Sequence, residues 1–170
     1  MNWFTFLSLL TLSAFVLANG LAFERAGKEW AGKIHEVLKT NPVESGSPTS
    51  FLLPMQIQSA LVPPCVTFWS WFGLLSIAGT LLAGAIYLGW HSIVVGVVVT
   101  WIASRTARGV WPKPVSKLYF ATFHECLLWR MTSCQSTGDQ KRAHWHACLI
   151  VIMEQIEKSK IVPPEKTETC

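Results

Sequence analysis

The stretch that decides the fold is residues 66–104, VTFWSWFGLLSIAGTLLAGAIYLGWHSIVVGVVVTWIAS. It belongs to a longer run, residues 45–104, which contains no Lys, Arg, Asp or Glu and ends at Arg105. A single helix needs about 20 apolar residues to cross a bilayer core. One straight helix over 66–104 would be about 58 Å long, close to twice a hydrocarbon thickness of about 30 Å. The sequence therefore predicts an integral membrane protein whose central stretch turns back on itself.

Tryptophan residues divide this stretch, because an indole ring prefers the headgroup level of a bilayer. Trp90 follows Trp69 by about one span, and Trp111 follows Trp90 by another. This spacing predicts two spans, over about 69–88 and 92–110, joined by a turn at 89–91. The alternative is one span followed by an interfacial helix. The side chains expected to anchor the spans at the two interfaces are Trp69, Trp71, Trp90, Arg105, Arg108 and Trp111.

Small residues recur at helical spacing along both predicted spans. Such rows allow two helix backbones to approach closely, which favours helix association in lipid. Gly and Ser are also common in membrane helices in general, so the rows alone do not name their partner. Whether they join the two arms of the hairpin or face another subunit is left open at this point. The predicted helix-packing residues are Ser76, Thr80 and Gly84 on the first span, and Ser92, Gly96, Thr100 and Ser104 on the second.

The N-terminal run, residues 2–18, is apolar and uncharged, and it is either a membrane anchor or a cleaved signal peptide. No Lys or Arg precedes it, whereas Arg25, Lys28, Lys33 and Lys39 follow it. The positive-inside rule then places the N-terminus outside and the following residues in the cytoplasm, as for an uncleaved anchor. Two further crossings return Arg105, Arg108, Lys113 and Lys117 to the same side. The predicted topology has three spans and a cytoplasmic C-terminus.

The expected fold is all-α, with about three transmembrane helices, formed by the N-terminal anchor and the central hairpin, and a cytoplasmic amphipathic helical hairpin. Two helices, over 115–134 and 140–159, with a turn at 136–139, form this last hairpin. Residues 21–40 form an amphipathic helix that lies on the membrane, continues from the first span or docks on a partner. The predicted segments are an anchor or signal peptide at 1–20, the amphipathic helix at 21–40, a linker with an interfacial segment at 41–65, the transmembrane hairpin at 66–111, the cytoplasmic helical region at 112–160 and a disordered tail at 161–170.

Residues that ligate metals are concentrated after residue 123, where zinc ligation is the chemistry to consider. Residues two apart on a helix point to opposite sides, so His144 pairs with Cys148 and not with His146. Cys134 could join them across the turn, which gives three candidate ligands, Cys134, His144 and Cys148, and an incomplete site. We therefore expect no metal and no cofactor. Five cysteines, an odd number, also do not form a disulfide framework.

Motifs that would indicate an enzyme are missing from the sequence: there is no GxSxG, no P-loop and no GxGxxG that opens a helix after a strand. The net charge of +4 is modest and its positive residues flank apolar segments, which does not favour nucleic-acid binding. We expect a non-catalytic accessory subunit or adaptor of a membrane complex, which binds the bilayer and other membrane subunits or itself. The alternative is a homo-oligomeric pore of the viroporin or holin kind, lined by Ser92, Thr100 and Ser104 with Arg105 or Arg108 at its mouth.

Overall fold

The structure is a computed structural model that describes residues 1–40, 53–114 and 116–161. The predicted tail at 161–170 and most of the predicted linker lie outside these residues, so the structure does not address them. Within the described part the protein is all-α. Its six helices are α1 (Trp3–Thr40), α2 (Leu53–Leu61), α3 (Pro64–Leu88), α4 (His91–Val110), α5 (Lys117–Ser136) and α6 (Gln140–Ile161).

The chain forms two compact units. Unit 1 consists of Met1–Ala26 and Pro63–Ser116, and unit 2 takes its described residues from Gly27–Val62 and Lys117–Cys170. Helix α1 is continuous for 38 residues and contributes to both units. Residues 21–40 therefore continue the helix of the first apolar segment, as one of the sequence-based alternatives expected.

Three helices are long and apolar enough to cross a membrane, over Trp3–Lys39, Pro64–Leu88 and His91–Val110. In unit 1 they share a core of Phe6, Leu10 and Ala14 from α1 with Ile77 from α3 and Ala103 from α4. The outer faces of α3 and α4 are also apolar, and large side chains such as Leu75, Ile86 and Trp101 are exposed there. Exposed apolar surface of this extent is typical of a protein surrounded by lipid.

The ends of these helices follow from proline and glycine. Helix α3 begins at Pro64, earlier than the predicted 69, because proline has no N–H and fits the first helical position, where no hydrogen bond is needed. Gly89 follows the last residue of α3 with a φ of 85°, a backbone conformation that favours glycine. Helix α4 then starts at His91, so the two predicted spans are joined by a turn of two residues.

In unit 2, α5 and α6 pack against each other as a helical hairpin. Gly138 provides a φ of 79° in the turn, and the N–H of Asp139 donates to the carbonyl oxygen of Cys134 at 2.9 Å. The Asp139 carboxylate accepts a hydrogen bond of 3.1 Å from the backbone N–H of Arg142, which caps α6. The turn thus lies where the sequence predicts it.

The C-terminal part of α1 and helix α2 complete the core of unit 2. Trp30 of α1 is fully buried, and its ring centroid lies 5.8 Å from that of Phe120 of α5. Helix α2 packs against α5 and buries Ile57 and Leu61. One face of the segment expected at a membrane interface is therefore buried within unit 2, whereas Met55 on its other side is exposed. Periodicity alone does not reveal this tertiary contact.

Candidate functional site

The three predicted packing residues of α3, Ser76, Thr80 and Gly84, face the interior of unit 1. The Ser76 hydroxyl is hydrogen bonded to the Ser13 hydroxyl of α1 at 2.7 Å, and Gly84 lies directly against the ring of Phe6. Thr80, between these two positions, is buried. The row thus forms a close contact with α1, because only small side chains leave room for the helix to approach.

The row on α4 points inward over its first half. Ser92 is fully buried and its hydroxyl donates to the carbonyl oxygen of Gly89 at 2.8 Å. Gly96 lies against Leu10 and Phe6 of α1 and against Leu81 of α3. Thr100 and Ser104 are half-buried, and the Thr100 hydroxyl oxygen has no hydrogen-bond partner among the described residues.

Two glycines that the sequence reasoning did not select extend the contact between α1 and α3. Gly73 lies against Leu17, and Gly20 lies against Ser70. Gly73 stands three residues before Ser76, so a search at mixed spacings of three and four would have found it. Gly20 belongs to α1, a helix whose small residues were not searched for a packing row.

The predicted interface anchors differ in their surroundings. Trp69, Trp71 and Trp90 are exposed, and the guanidinium of Arg105 lies over the ring of Trp101, 5.5 Å from its centroid. Arg108 is exposed as well. Trp111 is half-buried, with its ring centroid 6.4 Å from that of Phe15. Their place at the headgroup level stays a prediction.

Four of the cysteine and histidine residues of unit 2 form two separate pairs. Cys134 Sγ lies 3.9 Å from His146 Nδ1, and Cys148 Sγ lies 3.7 Å from His144 Nε2. Cys134 thus contacts His146, two residues beyond the histidine with which it was expected to combine. The residues that the structure describes include no group of three or more His, Cys, Asp or Glu side chains able to hold a metal ion.

His146 is buried, which disfavours its charged form and lowers the pKa of the imidazole below 6.5. The guanidinium groups of Arg130 and Arg142 lower this pKa further, while the carboxylate of Asp139 opposes them. His146 therefore stays neutral at pH 7 and is suited to packing between α5 and α6.

Comparisons with protein-family models, with curated proteins and with solved structures found no match. The geometry of unit 1 is that of a packing surface, in which hydroxyl groups and glycines hold helices together. The best-defined contact of this kind is the one between Ser13 and Ser76, because it links two helices through side chains.

Proposed function

We propose that the chain is a non-catalytic, multi-pass membrane protein that serves as an accessory subunit or adaptor of a membrane complex. Unit 1 would anchor the protein, and unit 2 would bind a partner. One observation supports a binding role for unit 2: Leu118 and Trp129 of α5 are 57% and 66% exposed. They stand eleven residues apart, about three helical turns, and so share one face of the helix. Glu125, also exposed, lies between them on this face, and an exposed Trp beside a charged side chain supports a protein interaction surface, where aromatic residues are enriched.

We further propose that the N-terminus lies outside and the C-terminus in the cytoplasm. The support is the charge distribution, since Lys and Arg follow the first apolar segment and the end of α4. Three crossings, by α1, α3 and α4, place both clusters of Lys and Arg on the cytoplasmic side. A protease-accessible tag at either terminus of the chain in sealed membrane vesicles would report the side on which each end lies, and two ends on one side would contradict this topology.

The partner proposal is tested by purification of the tagged chain in mild detergent, followed by mass spectrometry and sizing of what accompanies it. We expect stoichiometric partner proteins that are lost in Trp129→Glu, because a charge on the exposed face of α5 opposes apolar contact. Gln155→Glu, which adds the same charge at an exposed position of α6, is the matched control and should retain them. A chain purified alone as a monomer would contradict an adaptor role.

The pore alternative receives less support from the geometry. It requires Ser92 to line a lumen, whereas the Ser92 side chain is fully buried inside unit 1. A homo-oligomer of defined size that conducts ions would nevertheless favour the pore over the adaptor. Gly96→Leu is not a clean test of conductance, since its side chain would also overlap Leu10, Phe6 and Leu81 within one chain.

A further inference from the structure

A cavity of about 360 Å³ opens in unit 1 beside the contact of Gly20 with Ser70. Its walls are formed by Val16, Asn19, Gly20, Phe23, Val66 and Trp69. Asn19 stands five residues before Glu24, the first charged side chain of the sequence, and Trp69 is an expected interface anchor. In the proposed topology the cavity therefore lies where the hydrocarbon core meets the headgroups.

The cavity combines an apolar wall with one amide. The oxygen of Asn19 is buried and has no hydrogen-bond partner among the described residues, which is unfavourable for a polar group away from water. Rotation of the amide about its Cβ–Cγ bond brings either the oxygen or the nitrogen toward a bound molecule. A hydroxyl group both donates and accepts, so it can pair with the amide in either orientation.

The other lining residues restrict the kind of ligand. None of the six is charged, so a phosphate would find no Lys or Arg partner in this wall. Two aromatic side chains, Phe23 and Trp69, offer surfaces on which rigid fused rings can pack. The volume also falls in the range of about 300–1,000 Å³ that is usual for small-molecule sites.

We propose that this cavity binds a neutral membrane lipid with a flat fused-ring body and one hydroxyl group, which is the chemistry of a sterol. The hydroxyl pairs with the Asn19 amide, and the rings contact Phe23, Val66 and Trp69. This site goes beyond the adaptor role, and it rests on the membrane insertion proposed above.

A second cavity in unit 1 provides an internal control. It measures about 260 Å³ and is lined by Thr11, Phe15, Val99, Ile102, Ala103 and Thr106. Both of its hydroxyl groups are already bonded, Thr11 to the carbonyl oxygen of Leu7 at 2.8 Å and Thr106 to that of Ile102 at 3.0 Å. It offers no polar group in need of a partner, so it should accept lipid tails without preference.

The test uses the full chain in phosphatidylcholine vesicles that contain a photoactivatable, clickable cholesterol analogue. Resistance to carbonate extraction first establishes insertion, and mass spectrometry then locates the labelled peptides. We expect labelling of α1 or α3 near the first cavity, with competition by unlabelled cholesterol. Asn19→Leu should weaken apparent binding about 3- to 10-fold through loss of one hydrogen bond, and Val66→Phe, which fills the cavity, should abolish most labelling.

Val99→Phe, placed in the second cavity, should leave the labelling unchanged. The proposal is overturned if unlabelled cholesterol does not compete, or if both Asn19→Leu and Val66→Phe label like the original chain. Equal competition by a phosphatidylcholine analogue would also overturn it, because that result indicates general lipid contact. A chain extracted by carbonate would contradict membrane insertion itself, whereas an inserted but unlabelled chain contradicts only the sterol site.

Discussion

At the scale of single residues, Gly84 sets how closely α1 approaches α3. A methyl group added at this position would overlap the ring of Phe6, which is fully buried and has little room to move. We predict that Gly84→Ala destabilises the protein by about 1–3 kcal/mol, the usual range for an overpacked core. The free energy of unfolding, measured by sodium dodecyl sulfate titration in mixed micelles, checks this.

Gly79 is the matched control for that substitution. It lies in the same helix, and a methyl group added there would contact nothing within 4 Å. Alanine is the better helix former by up to about 1 kcal/mol, so Gly79→Ala should leave stability unchanged or raise it. An equal loss of stability in Gly79→Ala and Gly84→Ala would show that overlap with Phe6 is not the cause of the destabilisation.

His146 should make unit 2 less stable in mild acid. Its pKa in the folded chain lies below 6.5 because of burial and the nearby Arg130 and Arg142, whereas the unfolded chain has the ordinary value. Well above pH 6.5 the imidazole is neutral in both states, so its contribution to stability is fully present. As the pH falls through 6.5 toward the folded pKa, the unfolded chain binds the proton more readily and stability decreases.

The measurement is hydrogen exchange of α6 amides between pH 5 and 8, corrected for the intrinsic pH dependence of exchange. His146→Gln should flatten the acid decrease, since the titrating group is gone. His144→Gln, at an exposed position of the same helix, should retain it. An unchanged slope in His146→Gln would contradict the assignment of the acid decrease to His146.

At the scale of helices, Arg130 acts as a cap for a neighbouring element. Helix α2 is followed by Pro63 and Pro64, which have no N–H to offer its last carbonyl groups. Arg130 of α5 donates to the carbonyl oxygen of Val62, the residue that follows α2, at 3.4 Å, and Cys126 Sγ lies 3.8 Å from the carbonyl oxygen of Ala60 within α2. A cation at a helix C-terminus is also favoured by the helix dipole.

We predict that Arg130→Ala lowers the protection of α2 amides by about 1–2 kcal/mol, the value of a hydrogen bond from a charged donor at a helix end. Hydrogen exchange resolved to α2 peptides measures this. Arg142→Ala, which removes an exposed pair with Asp139 at 3.2 Å, should change protection by less than about 0.5 kcal/mol. Unchanged protection of α2 in Arg130→Ala would mean that solvent satisfies its carbonyl groups equally well.

The sequence predicts helix ends well where a local signal exists. Helix α4 starts and ends within a residue of the expected 92–110, because Gly89 and Pro112 flank it. The start of α3 was predicted at 69 because the spacing of the Trp residues, and not Pro64, defined the ends of the two spans. The continuity of α1 was one alternative among three, since its apolar half and its charged half have different patterns, although no proline separates them.

At the scale of the whole molecule, the N-terminal segment is part of the core of unit 1. Phe6 and Leu10 are fully buried, and Ser13 bonds to Ser76. We predict that the mature chain retains residues 1–18, because their removal would uncover Gly84 and Gly96. Intact-mass measurement of the chain purified from its membrane checks this, and a mass that lacks these residues would contradict an anchor and support a signal peptide.

The sequence could not predict which helix covers each packing face. Periodicity identifies a face on one helix but does not say which other helix covers it, because that depends on contacts distant in sequence. The rows at Ser76 and Gly96 were predicted from spacing along each helix, whereas their contact with α1 is seen only in the structure. In the same way, burial of Ile57 against α5 depends on residues about 60 positions away, beyond any local pattern.

The turn at Gly89 and Trp90 has a consequence for biogenesis and exposure. In the proposed topology only two residues join α3 and α4, so we expect the two helices to insert into the bilayer together as one hairpin. In the proposed topology the outer surface then displays little more than an indole ring at this point. Antibodies, extracellular proteases and glycosyltransferases would find almost no loop to recognise there.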